Sequence, residues 1–429
     1  MQHKQGATPD LRKEMCVASV VEVGSGRIAS LDFIRGIAVM GILAANIVAF
    51  GQPMTAYLFP GAFTVPHSEA ENWMWVAQFV LIDGKMRGLF SLLFGAGMYL
   101  FLEKAWARGQ GIWLQVQRLC WLGLFGIVHF FFVWRGDILL LYACAGMAAL
   151  LFVGLSRRKQ LVMGLLGYFG GALLYGAFVG FLPAVADTEV GERAAFAQMA
   201  NELEAEKQAE LADGRLETDL ISNGQYGTWV SHNLSVHGDE LLFNIFMSWF
   251  ETLPLMMIGM AAYRYRLFDG GVASRWQQRW GWGLLLAGTA MTIPVALWAN
   301  AGGLTYYGTL AAMVGWSMVP RLLAILGLVA LLALWGQSVG GWLVDRISAA
   351  GRAAFTNYLG TSIFMLIVFH GWAGGLFGKL GRTELYLVMF ATWVLMLVWS
   401  KPWLDRYRFG PFEWLWRCLT YRQVFALRR

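Results

Sequence analysis

Stretches of about twenty mostly apolar residues, separated by short polar segments, recur from Ser30 almost to the C-terminus. That is the length a helix needs to cross the hydrocarbon core of a bilayer. The pattern predicts spans at roughly 30–51, 73–101 (interrupted near Gly84), 112–134, 137–155, 161–183, 240–262, 280–300, 309–333, 353–376 and 384–403. The expected fold class is all-α, a polytopic integral membrane protein of about ten transmembrane helices. Residues 1–28 read as a polar tail, 29–403 as one transmembrane domain and 404–429 as an interfacial tail. The apolar run Met15 to Val23 is short and carries Glu22, so a cleaved signal peptide is not expected.

Two polar segments carry structure of their own. Within 184–238, Ala194 to Leu211 reads as a surface helix rich in Ala, Glu and Gln. Asp187 or Thr188 is its expected cap and Asp213-Gly214 its expected end. A tethering cap is the plainer expectation for this segment and a lid the functional one. The C-terminal FGPFEWLWRCLTYRQ mixes Trp and Phe with Arg, as suits a helix lying on the inner leaflet.

Composition removes the soluble alternative. Of 429 residues, 58% are hydrophobic and 14% charged, against roughly 45–50% and 25% in soluble chains. With the N-terminus inside, 23 Lys and Arg fall on the cytoplasmic side and 6 outside (Arg135, Arg193, Lys207, Arg215, Lys379 and Arg382). The positive-inside rule therefore places both termini in the cytoplasm. The net charge of +6 comes from residues flanking spans, so no nucleic-acid partner is expected; the partner is the lipid bilayer. Cys16 and Cys418 fall in the tails and Cys120 and Cys144 in spans, which predicts no disulfide framework.

Charged groups inside spans are costly and mark protein interiors or wet cavities. Asp32 and Arg35, three apart at the start of span one with Arg27 just before, share a helix face. They suit a structural ion pair or an inner-leaflet site for an anionic donor such as a nucleotide-bearing thioester. Asn46 on the outer half of that helix is expected to be interhelical glue. Span two places Asp83, Lys85 and Arg87 beside Gly84 and Gly88, where a break would line a polar cavity. His129, near the outer end of span three, and Asp137, after the short Arg135-Gly136 turn, can meet as an imidazole base oriented by a carboxylate. The plain alternative is a packed, satisfied histidine. Glu251 and Arg321, alone at mid-membrane, are expected to pair as an architectural pin. His370 is expected to join the His129 cavity, and His67 and His237 to be solvated loop residues. No metal-binding, nucleotide-hydrolysing or serine-hydrolase motif appears.

The strings LDFIRGIAVMGILAANIVAFG (Leu31–Gly51), LFSLLFGAG (Leu89–Gly97), GIVHFFFVWRGDILLLYA (Gly126–Ala143), GRAAFTNYL (Gly351–Leu359, containing Asn357) and FGPFEWLWRCLT (Phe409–Thr420) resemble the YeiB-like family of bacterial inner-membrane proteins. That family is similar to a wider group of transmembrane acyltransferases, including the heparan-α-glucosaminide N-acetyltransferase type. The shared feature is an Asp-x-x-Arg-Gly opening of the first span, here Asp32, Arg35 and Gly36. The resemblance implies transfer of an acyl group from cytoplasmic acyl-CoA, as co-substrate and not a tightly bound cofactor, to a small-molecule or envelope-glycan acceptor across the membrane. Many of the wider group carry a His in or just after the first span. This chain has Asn46 there, and the family's own histidine matches His129. The expected site is therefore His129 and Asp137 as the catalytic pair, with Arg27, Asp32 and Arg35 holding the donor. Asn46, Asp83, Lys85, Glu251, Arg321, Asn357 and His370 are expected around the cavity. A transporter or exporter, or a non-catalytic scaffold, are the alternatives, although the hydropathy shows no inverted repeat.

Overall fold

A computed structural model describes residues 28–66 and 68–429. Arg27, Cys16 and His67 lie outside the described residues. The helices that build the bundle are α1 Ala29–Gly51, α2 Glu69–Leu81, α3 Lys85–Trp106, α4 Trp113–Phe132, α5 Leu139–Ala149 and α6 Arg157–Phe178. They continue with α7 Ala197–Ser222, α8 Tyr226–Val236, α9 Gly238–Arg264, α10 Ser274–Ala301, α11 Met318–Ser338, α12 Trp342–Arg352, α13 Ala354–Phe369, α14 Arg382–Arg406 and α15 Pro411–Tyr421. Among the described residues the only extended pairing is an isolated bridge, Tyr407 to Arg428.

Among the described residues, eight stretches are long and apolar enough to cross a membrane, and α12 with α13 makes a ninth if the pair, bent by 82°, is one span. The expected fourth span is a shorter apolar helix, Leu139–Phe152. Each predicted span thus corresponds to a helix or a broken helix. The chain is a multi-pass, all-α membrane protein. Its outer faces carry Leu124, Ile127 and Val128 on α4, Leu166 and Leu173 on α6, Leu286 and Ile293 on α10, and Leu387, Val394 and Val398 on α14, all exposed. An apolar surface of that extent needs lipid as its solvent.

The bundle has two distinct ends, and they match the charge pattern. At the end expected outside, Gln52 donates to the Leu380 carbonyl at 2.8 Å, Thr64 to the Gly378 carbonyl at 2.6 Å, and the Gly371 N–H to the Ile221 carbonyl at 2.8 Å. At the end expected inside, Ser30 donates to the Phe268 carbonyl at 2.6 Å and Arg264 to the Leu155 carbonyl at 2.5 Å. Segments assigned to one side by Lys and Arg alone touch one another there.

Small residues set the closest helix crossings. A Cβ on Gly351 would sit 1.8 Å from the Asp32 carbonyl oxygen, and one on Gly36 2.0 Å from that of Ile347. The glycine of the Asp-x-x-Arg-Gly string and that of the GRAAF string are thus the two sides of one backbone crossing between α1 and α12.

The outer segment departs from expectation. The surface helix does not end at Asp213-Gly214: α7 runs on to Ser222. Gly214 is tolerated because it packs against Pro53 and Thr55, where a Cβ would approach to 3.2 and 3.1 Å. Thr188 caps only the short turn Glu189–Glu192, accepting from the Val190 N–H, and the residue before α7 is Phe196, with no side-chain cap. The added turns aim Asp213 and Glu217 at the bundle. The C-terminal helix is also more than a membrane anchor. Glu413 on α15 accepts the Phe355 and Thr356 N–H groups at 2.7 and 3.1 Å and so caps the start of α13. Arg118 is held between the rings of Phe101 and Trp416.

Candidate functional site

The last turn of α4 and the tight turn into α5 build the central pair. His129 lies one turn before the end of α4, and Asp137 sits two residues before α5 begins. His129 Nδ1 and Asp137 Oδ1 are 2.9 Å apart, with side chains 1% and 0% exposed. Asp137 Oδ2 accepts the Leu140 N–H at 2.9 Å, so the carboxylate also caps α5. An ionised carboxylate can only accept, which places the imidazole proton on Nδ1 and the lone pair on Nε2. Nε2 is buried and has no hydrogen-bond partner. An oriented imidazole with an unoccupied basic nitrogen is the arrangement general-base chemistry requires.

Around the ring stand Tyr358, at 5.3 Å between centroids, and Trp134, at 6.3 Å. The Tyr358 hydroxyl accepts the Ile138 N–H at 3.2 Å. Both aromatic residues line a small cavity of about 10 Å³, room for one water, with Asn46, Phe50, Thr361 and Ser362. A second cavity of about 40 Å³, room for a few waters, is lined by Arg135, Glu217, Trp229 and His370 among others. Trp134 and Phe50, stacked at 4.1 Å, belong to both walls.

His370 does not share the small cavity beside His129. It lies on the far side of the Trp134–Phe50 partition, within an aromatic box of Tyr226, Trp229 and Trp372, with neither ring nitrogen hydrogen-bonded. His129 and Asp137 themselves line neither cavity, and neither do Asp83, Lys85, Glu251, Arg321 and Asn357; Tyr358 and Trp134 stand between the imidazole and the smaller one. Asp83 accepts from Gln78 at 3.0 Å, and Gln78 in turn accepts from Arg382 at 3.1 Å and Tyr386 at 2.5 Å. Lys85 donates to the Phe79 carbonyl at 3.1 Å. Asn357 bonds the Ala350 carbonyl and Ser400 at 2.9 and 3.2 Å, and accepts from Trp399 at 3.0 Å.

Glu251 and Arg321 pair at 2.9 Å, and Arg87 joins them at 2.5 Å. The local cause lies in a π-helical segment, Ala311–Trp316, where Ser317 N–H reaches Ala312 and the Met313 carbonyl, without that backbone donor, accepts the Ser317 hydroxyl at 2.8 Å. Arg321 donates to that carbonyl and, at 2.7 Å, to the Ser317 hydroxyl. Gly84, at φ +69°, has no Cβ and so lets the Arg321 guanidinium lie directly on its backbone.

At the inner end, Asp32 and Arg35 pair at 3.1 Å. Asp32 is fourteen residues before Asn46 on α1, about 21 Å along the helix axis. The donor-side pair and the small cavity lined by Asn46 and Tyr358 therefore occupy opposite ends of one helix.

A family model described as "Protein of unknown function (DUF418)" matches residues 262–423. "Uncharacterized protein YeiB" of Escherichia coli (strain K12) is 33% identical over 409 residues, covering 92% of this chain and 97% of that protein. The chain belongs to the YeiB-like family. "Uncharacterized protein YxaH" of Bacillus subtilis (strain 168) is 29% identical, with 92% of this chain and 94% of that one covered. No solved structure matches. The residues matched by the DUF418 model begin in the last turn of α9 and run to the end of α15. They contain Arg321, Asn357 and the Glu413 cap, but not His129 or Asp137.

Sequence reasoning missed several members of these networks. Gln78 comes from the last turn of α2 and Arg382 and Tyr386 from the start of α14, far apart in sequence, and only Arg382 carried a signal, as a charge at a span edge. Tyr358 lies within the quoted GRAAFTNYL string but offered no local reason to face His129.

Proposed function

We propose that this family member is a membrane acyltransferase of the bacterial inner membrane, passing an acyl group from a cytoplasmic acyl-CoA-type donor to a hydroxyl or amine acceptor reached from the outer side. The observation that carries this reading is the buried His129–Asp137 pair with a free Nε2. In the proposed step, Nε2 takes the proton of the acceptor as its oxygen or nitrogen attacks the thioester carbonyl. Asp137 stabilises the imidazolium that forms, and the proton passes to the leaving thiolate. The Tyr358 hydroxyl, already accepting from Ile138, has its own proton to offer to the developing oxyanion. Asp32 and Arg35, with Arg27, would hold the donor at the inner end. The acyl-bearing arm would then run along α1 toward Asn46. The α1–α12 crossing gives Gly36 a packing role in addition, so the motif serves architecture whatever its part in donor binding.

The test is transfer from radiolabelled acyl-CoA in proteoliposomes to candidate envelope-glycan and small-molecule acceptors. Labelled product from the wild type and none from His129→Gln is the expected result. Product formation that survives that substitution unchanged removes the assigned base.

One specific observation favours a second reading, transport. The break at Gly84, the π-helical segment and the Arg87–Glu251–Arg321 group, buried at Glu251 and Arg321, meet at one depth, as in carriers with discontinuous helices. Uptake or export of a solute with no covalent product would support it.

A further inference from the structure

Beyond the outer end of the bundle lies a cluster that the acyl-transfer reading does not use. The antiparallel helices α7 and α8 bring Asp213 against His232 and His237. His232 Nε2 lies 2.7 Å from Asp213 Oδ1, and His237 Nε2 lies 3.5 Å from Asp213 Oδ2. One donor atom from each residue falls within 4.8 Å of the other two. The two histidines are five apart, a spacing that diverges along a continuous helix. They converge here because α8 ends at Val236 and His237 begins the turn into α9. Glu240 then accepts from His237 Nδ1 at 2.8 Å, which fixes the ring and turns Nε2 toward Asp213, the second-shell carboxylate typical of ligating histidines.

The charge balance points the same way. Asp213, Glu217 and Glu240 surround Arg135 at 3.7, 2.8 and 3.1 Å. Three carboxylates against one guanidinium leave two negative charges, which a divalent cation neutralises. Arg135 Nη1 lies 2.6 Å from His237 Nε2, so the guanidinium occupies the lone pair a metal ion would take and must move aside toward Glu217 when the ion binds.

We propose that Asp213, His232 and His237 form a zinc(II) site on the outer cap, with Glu240 orienting His237 and the fourth position open to water. Imidazole and carboxylate donors in this number suit Zn²⁺, whereas Mg²⁺ and Ca²⁺ take oxygen ligands. The bound ion joins α7 to the α8–α9 turn. Through Arg135 and Glu217, which line the larger cavity with Trp229, it holds the cap against the bundle. Metal binding here is independent of any acyl transfer.

The experiment uses the full chain in detergent, stripped with a chelator, then loaded with ZnCl₂ and desalted. Zinc content is read by mass spectrometry and affinity by competition with a chromogenic chelator. The wild type is expected to retain one zinc per chain, the His232→Gln/His237→Gln double variant none. Glu240→Gln keeps all three ligands and is expected to weaken binding roughly tenfold or more. Glu204→Gln, on the exposed face of α7, is expected to match the wild type. Affinity is expected to fall on acidification, because the imidazoles must be deprotonated to bind. A wild type that retains no zinc overturns the proposal, as does retention unchanged in the double variant. If the double variant fails to fold, by circular dichroism and gel filtration, Glu240→Gln decides: wild-type affinity there overturns the assignment.

Discussion

At the scale of single residues, the decisive atom is His129 Nε2. Its usefulness depends on Asp137, which fixes the tautomer from the other side of the ring. In Asp137→Asn, the amide can present its NH₂ to Nδ1 and move the proton to Nε2, while the amide oxygen still accepts from Leu140. On the acyl-transfer reading, turnover of labelled acyl-CoA is expected to fall by about two to four orders of magnitude with the donor KM little changed. Equal turnover in wild type and variant would show that the pair only caps α5. Glu251 is the opposite kind of residue, because each of its oxygens is already engaged. Glu251→Ala leaves the buried Arg321 guanidinium, and the part-exposed Arg87 beside it, without their anion. The expected loss is about 3–5 kcal/mol, read as a lowered unfolding midpoint in detergent.

At the scale of elements, the broken segment α12–α13 shows how distant parts of the chain finish a helix. Its 82° bend exposes the first N–H groups of α13. Glu413, on a helix that begins 57 residues after α13 does, supplies the missing acceptor. Burial pushes the Glu413 carboxyl up from its ordinary 4.5, and hydrogen bonds from Thr356 and Phe355 pull it part of the way back. The folded-state value is the higher one, so the folded protein binds this proton more tightly than the unfolded chain. The stabilisation from this group is complete below the ordinary carboxyl range and is lost as pH rises through the raised value. Glu413→Gln, which cannot titrate, is expected to remove that decline. Thermal midpoints of both proteins followed from acid to neutral pH check it: the gap should change in the variant's favour as pH rises, and a constant gap contradicts the assignment.

At the scale of the whole molecule, the two ends of the bundle carry different chemistry. The inner end has the Asp32–Arg35 pair and the docked C-terminal helix. The outer end has the α7–α8 cap, the His129–Asp137 pair and the Arg135 cluster. On a background without native cysteines, Glu202→Cys on α7 is expected to react with an impermeant maleimide added outside intact cells, and Arg158→Cys at the start of α6 only after permeabilisation. The reverse pattern would invert the topology and place the acceptor side in the cytoplasm.

What the sequence determined by itself was whatever depends on spacing within a helix or across a tight turn. Apolar stretches of membrane length marked the spans. The i,i+3 spacing paired Asp32 with Arg35, and the two-residue turn Arg135-Gly136 brought Asp137 back to His129. Only the tertiary structure decided which distant groups meet. Glu251 finds partners 164 and 70 residues away, and Gln78 finds Arg382 at a separation of 304. Asp213 meets His232 and His237 because α7 continues through a glycine that the sequence pattern read as a stop. Periodicity tells which face of a helix is buried but not which helix covers it. That choice is made by backbone crossings such as Gly36 on Ile347 and Gly351 on Asp32, where the absence of a side chain on one helix sets the register of another.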